Sequence, residues 1–552
     1  MVGMSVIAGV NSGGHDAAAA LLIDGQVVAC IEQERLSRVK RAPGESPAAA
    51  LRWCLDSAGL SLREVDTLAI GADHKLLSAV LSDPGLPSLD APERLFPSSL
   101  FGGQRPENVV SVRHHVAHAA SAFYLSGFSE AAVLVVDAMG EECATSLGVG
   151  SDSQIDLLET FPVDTSLGYF YEAAALYAGF DKAEGGKLMG LASYGRRSHP
   201  LSLFSNGALS WPIPRDLDGT SGKVRVRRRR RRLQEWFAEN FYPFASRDGD
   251  SELAYVDFAA TVQSALEEAL LQLARRSLDL TQSRNLVVAG GVGLNCSANG
   301  RLSEIEGLDG LFVQPMAHDA GVSLGAALAV AAREGEPRSE PMQHAYLGAE
   351  SSQEEVREAV VDFSLRCLAV GDEAISHAAR IIAQGGIVAW HTGRAEVGPR
   401  ALGARSLLGN PGKRETLVRL NTAKRREMWR PLAPSVQEES FHDYFEGTPN
   451  PFMIVAARVR DEVQSRLPAI THVDGSARPQ AVSSVHNPPY HQLLGEMKAL
   501  TGFPIVVNTS LNVQGEPIAS SARDSARAGI QAGADAVYLD GRLYSLQTAK
   551  MR

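Results

Sequence analysis

The chain has no run approaching the roughly 20 consecutive apolar residues that a membrane-spanning helix needs. Its start, MVGMSVIAGV, also lacks the basic stretch and cleavage pattern of a secretory leader. Membrane insertion is not expected, and a cytoplasmic location is. Cysteine is scarce too. Cys30, Cys54, Cys143, Cys296 and Cys367 are odd in number and far apart, with no CxxC spacing, which argues against a disulfide framework, a zinc ribbon or a dithiol redox centre. Positive charge is in deficit: 53 Lys and Arg against 64 Asp and Glu leave −11, which disfavours bulk nucleic-acid binding unless basic residues are concentrated locally. What is present is ordinary globular usage, 45% hydrophobic and 21% charged. Long disorder is therefore not expected, and 552 residues call for two or more domains.

One stretch, RHHVAHAASAFYLSGFSEAAVLVVDAMGEE at residues 113–142, joins a histidine helix to an acid-tipped strand. Its apolar residues after His115 recur at helical spacing, so His114 and His118 project from one helical face about one turn apart. Two imidazoles so placed can share a metal ion. Residues 131–136 predict a buried strand ending at Asp137, and a strand-end carboxylate suits a third ligand. An HxxxH pair alone more often belongs to a packed helix, so its neighbours decide the reading.

The chain opens with SVIAGVNSGGHDAAAALLIDGQVVACIEQER, which predicts a strand, a small-residue turn at 11–16, a second strand, an Asp24-Gly25 hairpin and a third strand. Gly13 and Gly14 let a ligand approach that turn closely. The stretch from Leu134 repeats the layout, and residues 11–25 and 137–150 have almost the same internal spacing. Matched hairpins of this kind can clamp a phosphate between glycine-rich turns, with two unrelated hairpins as the alternative. A Pro-rich loop at 83–106 is long enough to be a lid. Further on, LGYFYEAAALYAGFDKAEGGKLMGLASYG predicts a helix running into a glycine-rich loop that carries Lys187, suited to phosphate or carbonyl contact but not in Walker A spacing. The basic run KVRVRRRRRR at 223–232 reads as a solvated segment pairing with acids elsewhere sooner than as a nucleic-acid patch.

NLVVAGGVGLNCSANGRL places Gly291, Gly293 and Asn295 between a buried strand and a helix, where a nucleotide can bind, without the pattern of a dinucleotide fold. GLFVQPMAHDAGVSLGAALAVAA then presents His318 and Asp319, and Asp319 is the candidate fourth ligand. Hydrophobic order weakens over 333–342, which places domains at 1–340 and 341–552.

From 394 to 430 there are ten Lys or Arg and three Glu, a local balance of +7. Arg394, Arg400, Arg405, Arg425, Arg426 and Arg430 are interleaved with Gly, Pro and Ser, which predicts a loop-built phosphate pocket in which planar guanidinium groups grip oxygens in pairs. Later, PIVVNTSLNVQGEPI opens a buried strand into Asn508, Thr509, Ser510 and Asn512, groups that read a small polar ligand or form structural turns.

Together, NSGGHDAAAALLIDG, RHHVAH, GGKLMGLASYG, GGVGLNCSANGRL, GRAEVGPRALGARSLL, KRREMWRPLAPS, THVDGSARPQ and NTSLNVQGEPI resemble the O-carbamoyltransferases of antibiotic and nodulation-factor biosynthesis, in that family's order and over nearly the whole chain. The resemblance implies an α/β protein. Its N-terminal domain would be duplicated, of the actin, sugar-kinase and Hsp70 type, and similar to the tRNA threonylcarbamoyl transferase. An α+β YrdC-like domain would follow, similar to carbamoyl adenylate synthases. The implied reaction makes carbamoyl adenylate from carbamoyl phosphate and ATP, then passes the carbamoyl group to an acceptor hydroxyl.

By the same resemblance, His114, His118, Asp137 and Asp319 match a divalent metal site of the Fe2+ type, and Mg2+ accompanies ATP. His15 is the candidate base, with Lys187 and Arg400 as further catalytic groups. Gly13, Gly14, Gly291, Gly293 and Asn295 would face the nucleotide in the first domain. Arg394, Arg405, Ser406, Lys424, Arg425, Arg430, Asn508, Thr509 and Asn512 would do so in the second. His115 and His318 stand beside the proposed ligands and either could replace one. The implied partners are ATP, carbamoyl phosphate and a small-molecule acceptor, with a homodimer compatible and neither membrane nor nucleic acid expected. A tRNA-modifying carbamoyl transferase using the basic run and a nucleotide-binding regulator without transfer chemistry are the alternatives. The acceptor is not legible, because variable loops choose it.

Overall fold

Buried strands alternating with polar turns build two matching sheets in the first part of the computed structural model, which describes residues 4–214, 222–241 and 253–547. The chain divides into two compact units, one formed by residues up to 36 together with 41–342, the other by 37–40 together with residues from 343 onward. In the first unit, β1 (Val6–Asn11), β2 (Ala18–Ile23) and β3 (Gln26–Glu32) are successive antiparallel strands. Two parallel strands, β4 (Thr67–Ile70) and β5 (Asn108–Ser111), continue from β1 in the order β3-β2-β1-β4-β5. The second sheet repeats this. Antiparallel β6 (Glu130–Val136), β7 (Cys143–Ser151) and β8 (Gln154–Pro162) are followed by parallel β9 (Asn285–Ala289) and β10 (Gly310–Val313), in the order β8-β7-β6-β9-β10. The repeated spacing in the sequence is thus a repeated sheet topology.

All six residues of β1 are buried, as are all of β6 after Glu130, which fits strands covered on both faces. The helices His114–Phe123 and Ala320–Glu334 pack together at this centre. Glycine sets how closely they approach: a Cβ on Gly325 would lie 1.7 Å from the Ala117 carbonyl oxygen. This approach brings the start of one helix, with His114 and His118, beside Asp319 at the start of the other.

One local expectation changes, and a second is refined. Lys187 does not lie on a glycine-rich loop: Gly185–Ala192 is a helix, since the two glycines open it and KLMGLA continues it. The basic run lies within the helix Gly222–Asn240, whose arginines point in several directions. Arg229 is buried, donates to the carbonyls of Pro214 and Asp164 and sits 5.1 Å from the Trp211 ring. Arg230 pairs with Glu172 at 2.9 Å, and Arg231 with Glu235 at 3.1 Å. Arg230 and Arg231 are thus paired with acids of their own unit, as the pairing expectation has it, whereas Arg229 is buried and not solvated.

The second unit is an eight-stranded sheet. Its strands are β11 (Arg366–Val370), β12 (Val388–His391), β13 (Arg405–Gly409), β14 (Ala433–Gln437), β15 (Gln480–Val482), β16 (Ile505–Ser510), β17 (Ala536–Leu539) and β18 (Arg542–Ser545), ordered β11-β18-β17-β12-β13-β16-β14-β15. Period-two alternation gives it two cores. Ala389, Leu407, Val507 and Val537 belong to one face, while Val388, Trp390, Leu408, Val506 and Tyr538 belong to the other. The Trp390 and Tyr538 rings stack at 3.9 Å on that second face.

Candidate active sites

The first site lies where β1, β6 and β9 of the first unit end in polar turns. Helix geometry places His114 and His118 one turn apart, and their Nε2 atoms are 3.1 Å from each other. Asp137, directly after β6, brings Oδ2 to 3.3 Å from His114 Nε2 and 3.8 Å from His118 Nε2. Asp319 contributes Oδ1 at 3.7 and 3.9 Å from the same two nitrogens. One ligand atom from each of the four residues lies within 4.8 Å of every other.

The surroundings orient these atoms. His114 Nδ1 donates to the Gly71 carbonyl at 3.2 Å, which turns its Nε2 toward the group, as a lone pair when the ring is neutral. Glu141, itself buried, accepts from the His114 backbone N–H at 2.9 Å and from that of Asp73 at 2.9 Å, so it caps the histidine helix. Asp137 Oδ1 accepts from the Gly291 N–H at 3.1 Å, and Gly290 before it takes φ +89°, where a Cβ would be 2.3 Å from the Val136 carbonyl.

The residues fit a divalent cation. Burial lowers the pKa of His114, but its bond to Asp137 and the charges of Asp319, Asp137 and Glu141 outweigh this and raise it to about 9. His118 is pushed down, first by burial and then by His114. Two imidazole nitrogens at contact distance between two carboxylates thus hold one proton where a cation would satisfy all four. Nitrogen and oxygen donors in this mix suit first-row divalent metals and do not single one out. His115 stays out of the group: its Nδ1 meets Ser146 Oγ at 2.7 Å. His318 is not among the four either.

His15 comes to the edge of this group. Its Nδ1 is 2.9 Å from Asp16 Oδ2 and 3.6 Å from Asp319 Oδ2, and its side chain is 48% exposed. Its pKa is raised, chiefly by the hydrogen bond to Asp16 and then by the charge of Asp319, against a lowering by burial. Gly13 and Gly14 lie in the same turn, Gly14 at φ +83°. Asn295 is occupied: its side chain caps the following helix through the Ala298 N–H and exchanges two hydrogen bonds with Gln263, at 2.9 and 3.0 Å. Gly293 sits inside the turn, 3.2 Å from Ala317 by its virtual Cβ. Lys187 is paired with Glu184 at 2.7 Å.

The second site is in the second unit, where the arginine expectation divides. Arg405 is fully buried, and its guanidinium donates to the carbonyls of Ser520, Thr392, Ala404, Ala349 and Gly393 at 2.9 to 3.1 Å. Five donors meet five backbone acceptors, so Arg405 ties these loops together. Arg394 likewise donates to the carbonyls of Gly348 and Leu347. Ser406, buried on β13, accepts from the Gly403 N–H. The Asn508 side-chain amide nitrogen is shared among Ala401 O, Ser435 Oγ and Gln480 Oε1, so it too serves the core. Arg400 is half-buried in the loop before β13, and Arg425 is exposed at φ +49°.

A different set converges. Lys424 is fully buried, and its ammonium reaches neutral oxygens: Ser510 O, Ser510 Oγ at 3.0 Å, Asn512 O at 3.0 Å and Asn512 Oδ1 at 2.7 Å. Asn512 is held in this orientation because its Nδ2 donates to Glu516 O at 2.7 Å. Beside it, Arg426 donates to Thr509 Oγ1 at 3.4 Å. Burial, then the charges of Arg430 and Arg478, push Arg426 down to about 9. Burial, Arg426 and Arg430 lower Lys424 as well, while its four acceptors favour the ammonium. Glu427, 3.7 Å from Arg430, is the acid recorded within this group. Cations crowded and desolvated to this extent are suited to an anion. Asp16, Arg41 and Glu141 are absent from the residues chosen by sequence. Their only sequence signals are an His-Asp pair and a Glu-Glu pair, too common to stand out.

The comparisons with known proteins agree over most of the chain. The carbamoyltransferase N-terminus model matches residues 6–85 and 102–328, and the carbamoyltransferase C-terminus model matches 379–545. Nodulation protein NolNO of Sinorhizobium fredii (strain NBRC 101917 / NGR234) is 35% identical over 97% of this chain and 79% of its own. Nodulation protein NolO of Bradyrhizobium diazoefficiens is 37% identical over 75% of this chain and 75% of its own. Full-length HypF in its phosphate- and nucleotide-bound form, a solved structure, aligns with 60% of this chain and 56% of that one at 14% identity and a TM-score of 0.32, too slight a likeness to bear on the fold. The chain belongs to the carbamoyltransferase family, and it is a carbamoyltransferase. A regulator without transfer chemistry is thereby set aside.

Proposed function

We propose that this enzyme is an ATP-dependent O-carbamoyltransferase working in two steps on two sites. In the first step, carbamoyl phosphate, ATP and water give carbamoyl adenylate, pyrophosphate and phosphate in the second unit. Lys424, Arg426 and Arg430 bind the phosphates, with Arg400 and Arg425 at the edge, while Thr509, Ser510 and Asn512 present hydrogen-bonding groups. In the second step, within the first unit, the acceptor hydroxyl oxygen bonds to the carbamoyl carbon, the bond from that carbon to the adenylate oxygen breaks, and AMP leaves. His15 takes the hydroxyl proton. A divalent cation on His114, His118, Asp137 and Asp319, Fe2+ in this reading, would supply Lewis acidity toward the carbamoyl carbonyl and the adenylate phosphate.

The observation that carries this reading is the contrast between the sites: a histidine–carboxylate group suited to a cation and a desolvated arginine–lysine group suited to polyphosphate. The repeated sheet order supports an actin, sugar-kinase and Hsp70 type for the first domain, residues 1–340, with a YrdC-like domain at 341–552. The acceptor is a hydroxyl of a small natural product, Mg2+ accompanies ATP, and the location is the cytoplasm. Among the described residues no helix is long and apolar enough to cross a membrane. The test is to incubate the full chain with ATP and carbamoyl phosphate without acceptor. Pyrophosphate release that requires carbamoyl phosphate is expected, and none with any divalent metal would overturn the reading.

A further inference from the structure

The turn that carries His15 is held by more contacts than a surface turn needs, and they converge on Asp16. This carboxylate is buried, yet it lies beside a half-exposed imidazole. Arg41 grips it with two groups, Nε to Oδ1 at 3.1 Å and a terminal nitrogen to Oδ2 at 2.7 Å. The same residue holds the backbone, since the Asp16 N–H donates to the Arg41 carbonyl at 2.7 Å. The Arg41 N–H is fixed in turn by Glu34 at 2.6 Å. Arg41 sits at φ +62°, a left-handed conformation uncommon for a long side chain and of the kind retained where the surroundings require it. From within the turn, Asn11 donates its amide to the carbonyls of both His15, at 3.2 Å, and Asp16, at 2.9 Å.

This arrangement decides which imidazole nitrogen is available. An ionised carboxylate only accepts, so Asp16 Oδ2 at 2.9 Å requires the proton on His15 Nδ1. Asp319 faces the same nitrogen at 3.6 Å. A terminal nitrogen of Arg41 also lies 3.4 Å from Nδ1, but it is committed to Asp16 Oδ2 at 2.7 Å, so the shorter contact of Nδ1 with Asp16 prevails and Nε2 is the lone-pair nitrogen of the neutral ring.

We propose that Asp16, clamped by Arg41, is the positioning residue that fixes the His15 ring and tautomer so that Nε2 meets the acceptor hydroxyl. This rests on the reading of His15 as base. The acceptor O–H proton passes to Nε2, the oxygen electron pair forms the new bond to the carbamoyl carbon, and the electrons of the broken bond leave with AMP. The imidazolium so formed keeps its Nδ1–H bond to Asp16, a role for a carboxylate behind a base that needs no transfer of that proton.

The experiment compares full-length wild type, Asp16→Asn, Arg41→Lys and His15→Gln with ATP and carbamoyl phosphate, using glycerol as the probe hydroxyl and following pyrophosphate and AMP separately. For Asp16→Asn, AMP release is expected to fall about 10- to 100-fold per pyrophosphate-competent chain with the glycerol KM unchanged, because a misdirected tautomer lowers turnover sooner than binding. Arg41→Lys, which keeps one contact of two, should lose less. Nitrogen-15 NMR of the imidazoles, with the His15 signals assigned by their loss in His15→Gln, should show Nδ1–H in the wild type and a mixture of tautomers in Asp16→Asn. This reads positioning directly, and thermal unfolding shows that the variants are folded. AMP release within two-fold of wild type in Asp16→Asn, or a wild-type ring carrying its proton on Nε2, would overturn the proposal. Absence of pyrophosphate from the wild type would instead overturn the two-step reading, and the proposal with it.

Discussion

The two sites use opposite electrostatics. In the first unit, three buried donors and the part-exposed Asp319 lie within 4.8 Å of one another, and every one of them is a histidine or an aspartate. In the second, a buried lysine held by neutral oxygens stands beside Arg426 and Arg430, and the cations depress one another. The first gathers two carboxylates around two imidazoles, and the second sets Lys424, Arg426 and Arg430 beside Glu427. Arg405, in the same unit, gives its five donors to five carbonyls.

The sharpest way to break this contrast is Lys424→Ala. Loss of the buried ammonium removes a positive charge from beside Arg426 and Arg430 and leaves the Ser510 and Asn512 oxygens without their donor. Pyrophosphate release should fall by about 100-fold or more, as a coupled phosphate assay would read. Next is Arg405→Leu, which strands five carbonyls. It should cost about 3 kcal/mol or more of stability, seen in denaturant unfolding, and any loss of activity should follow the loss of folded protein.

Arg426→Leu should do the reverse. Its folded pKa of about 9 lies below the ordinary arginine range. Between pH 9 and that range the unfolded chain therefore binds more protons, and the stability associated with this group rises with pH. The variant should accordingly melt no lower than wild type at pH 7 without phosphate, lose that advantage as pH rises past 9, and bind ATP more weakly. The smallest effect belongs to Arg231→Ala. Its exposed pair with Glu235 should be worth about 0.5 kcal/mol or less, and neither half-reaction should change.

How legible each site was follows from the same contrast. His114 and His118 could be paired from sequence because helix geometry alone fixes their relation, and the valine-rich strand before Asp137 fixed where that carboxylate would stand. The repeated hairpins were legible because spacing survives when residue identity does not. The arginine loop was legible as a charge excess but not residue by residue. Nothing in GRAEVGPRALGARS tells whether a guanidinium meets a ligand or the carbonyls of its own loops, since those carbonyls come from residues as distant as Ser520 and Ala349. For the same reason the sequence does not tell that Asn295 caps a helix, or that the Asn508 amide nitrogen meets core acceptors while its Oδ1 is buried without a hydrogen-bond partner. Lys187 was misplaced because a pair of glycines reads as a loop, yet here it opens a helix.

The division of labour is tested most directly by measuring pyrophosphate release and carbamoyl transfer side by side in His114→Ala and Lys424→Ala. The account predicts that His114→Ala still releases pyrophosphate from ATP and carbamoyl phosphate but transfers nothing, whereas Lys424→Ala does neither. Loss of pyrophosphate release in a folded His114→Ala enzyme would contradict it.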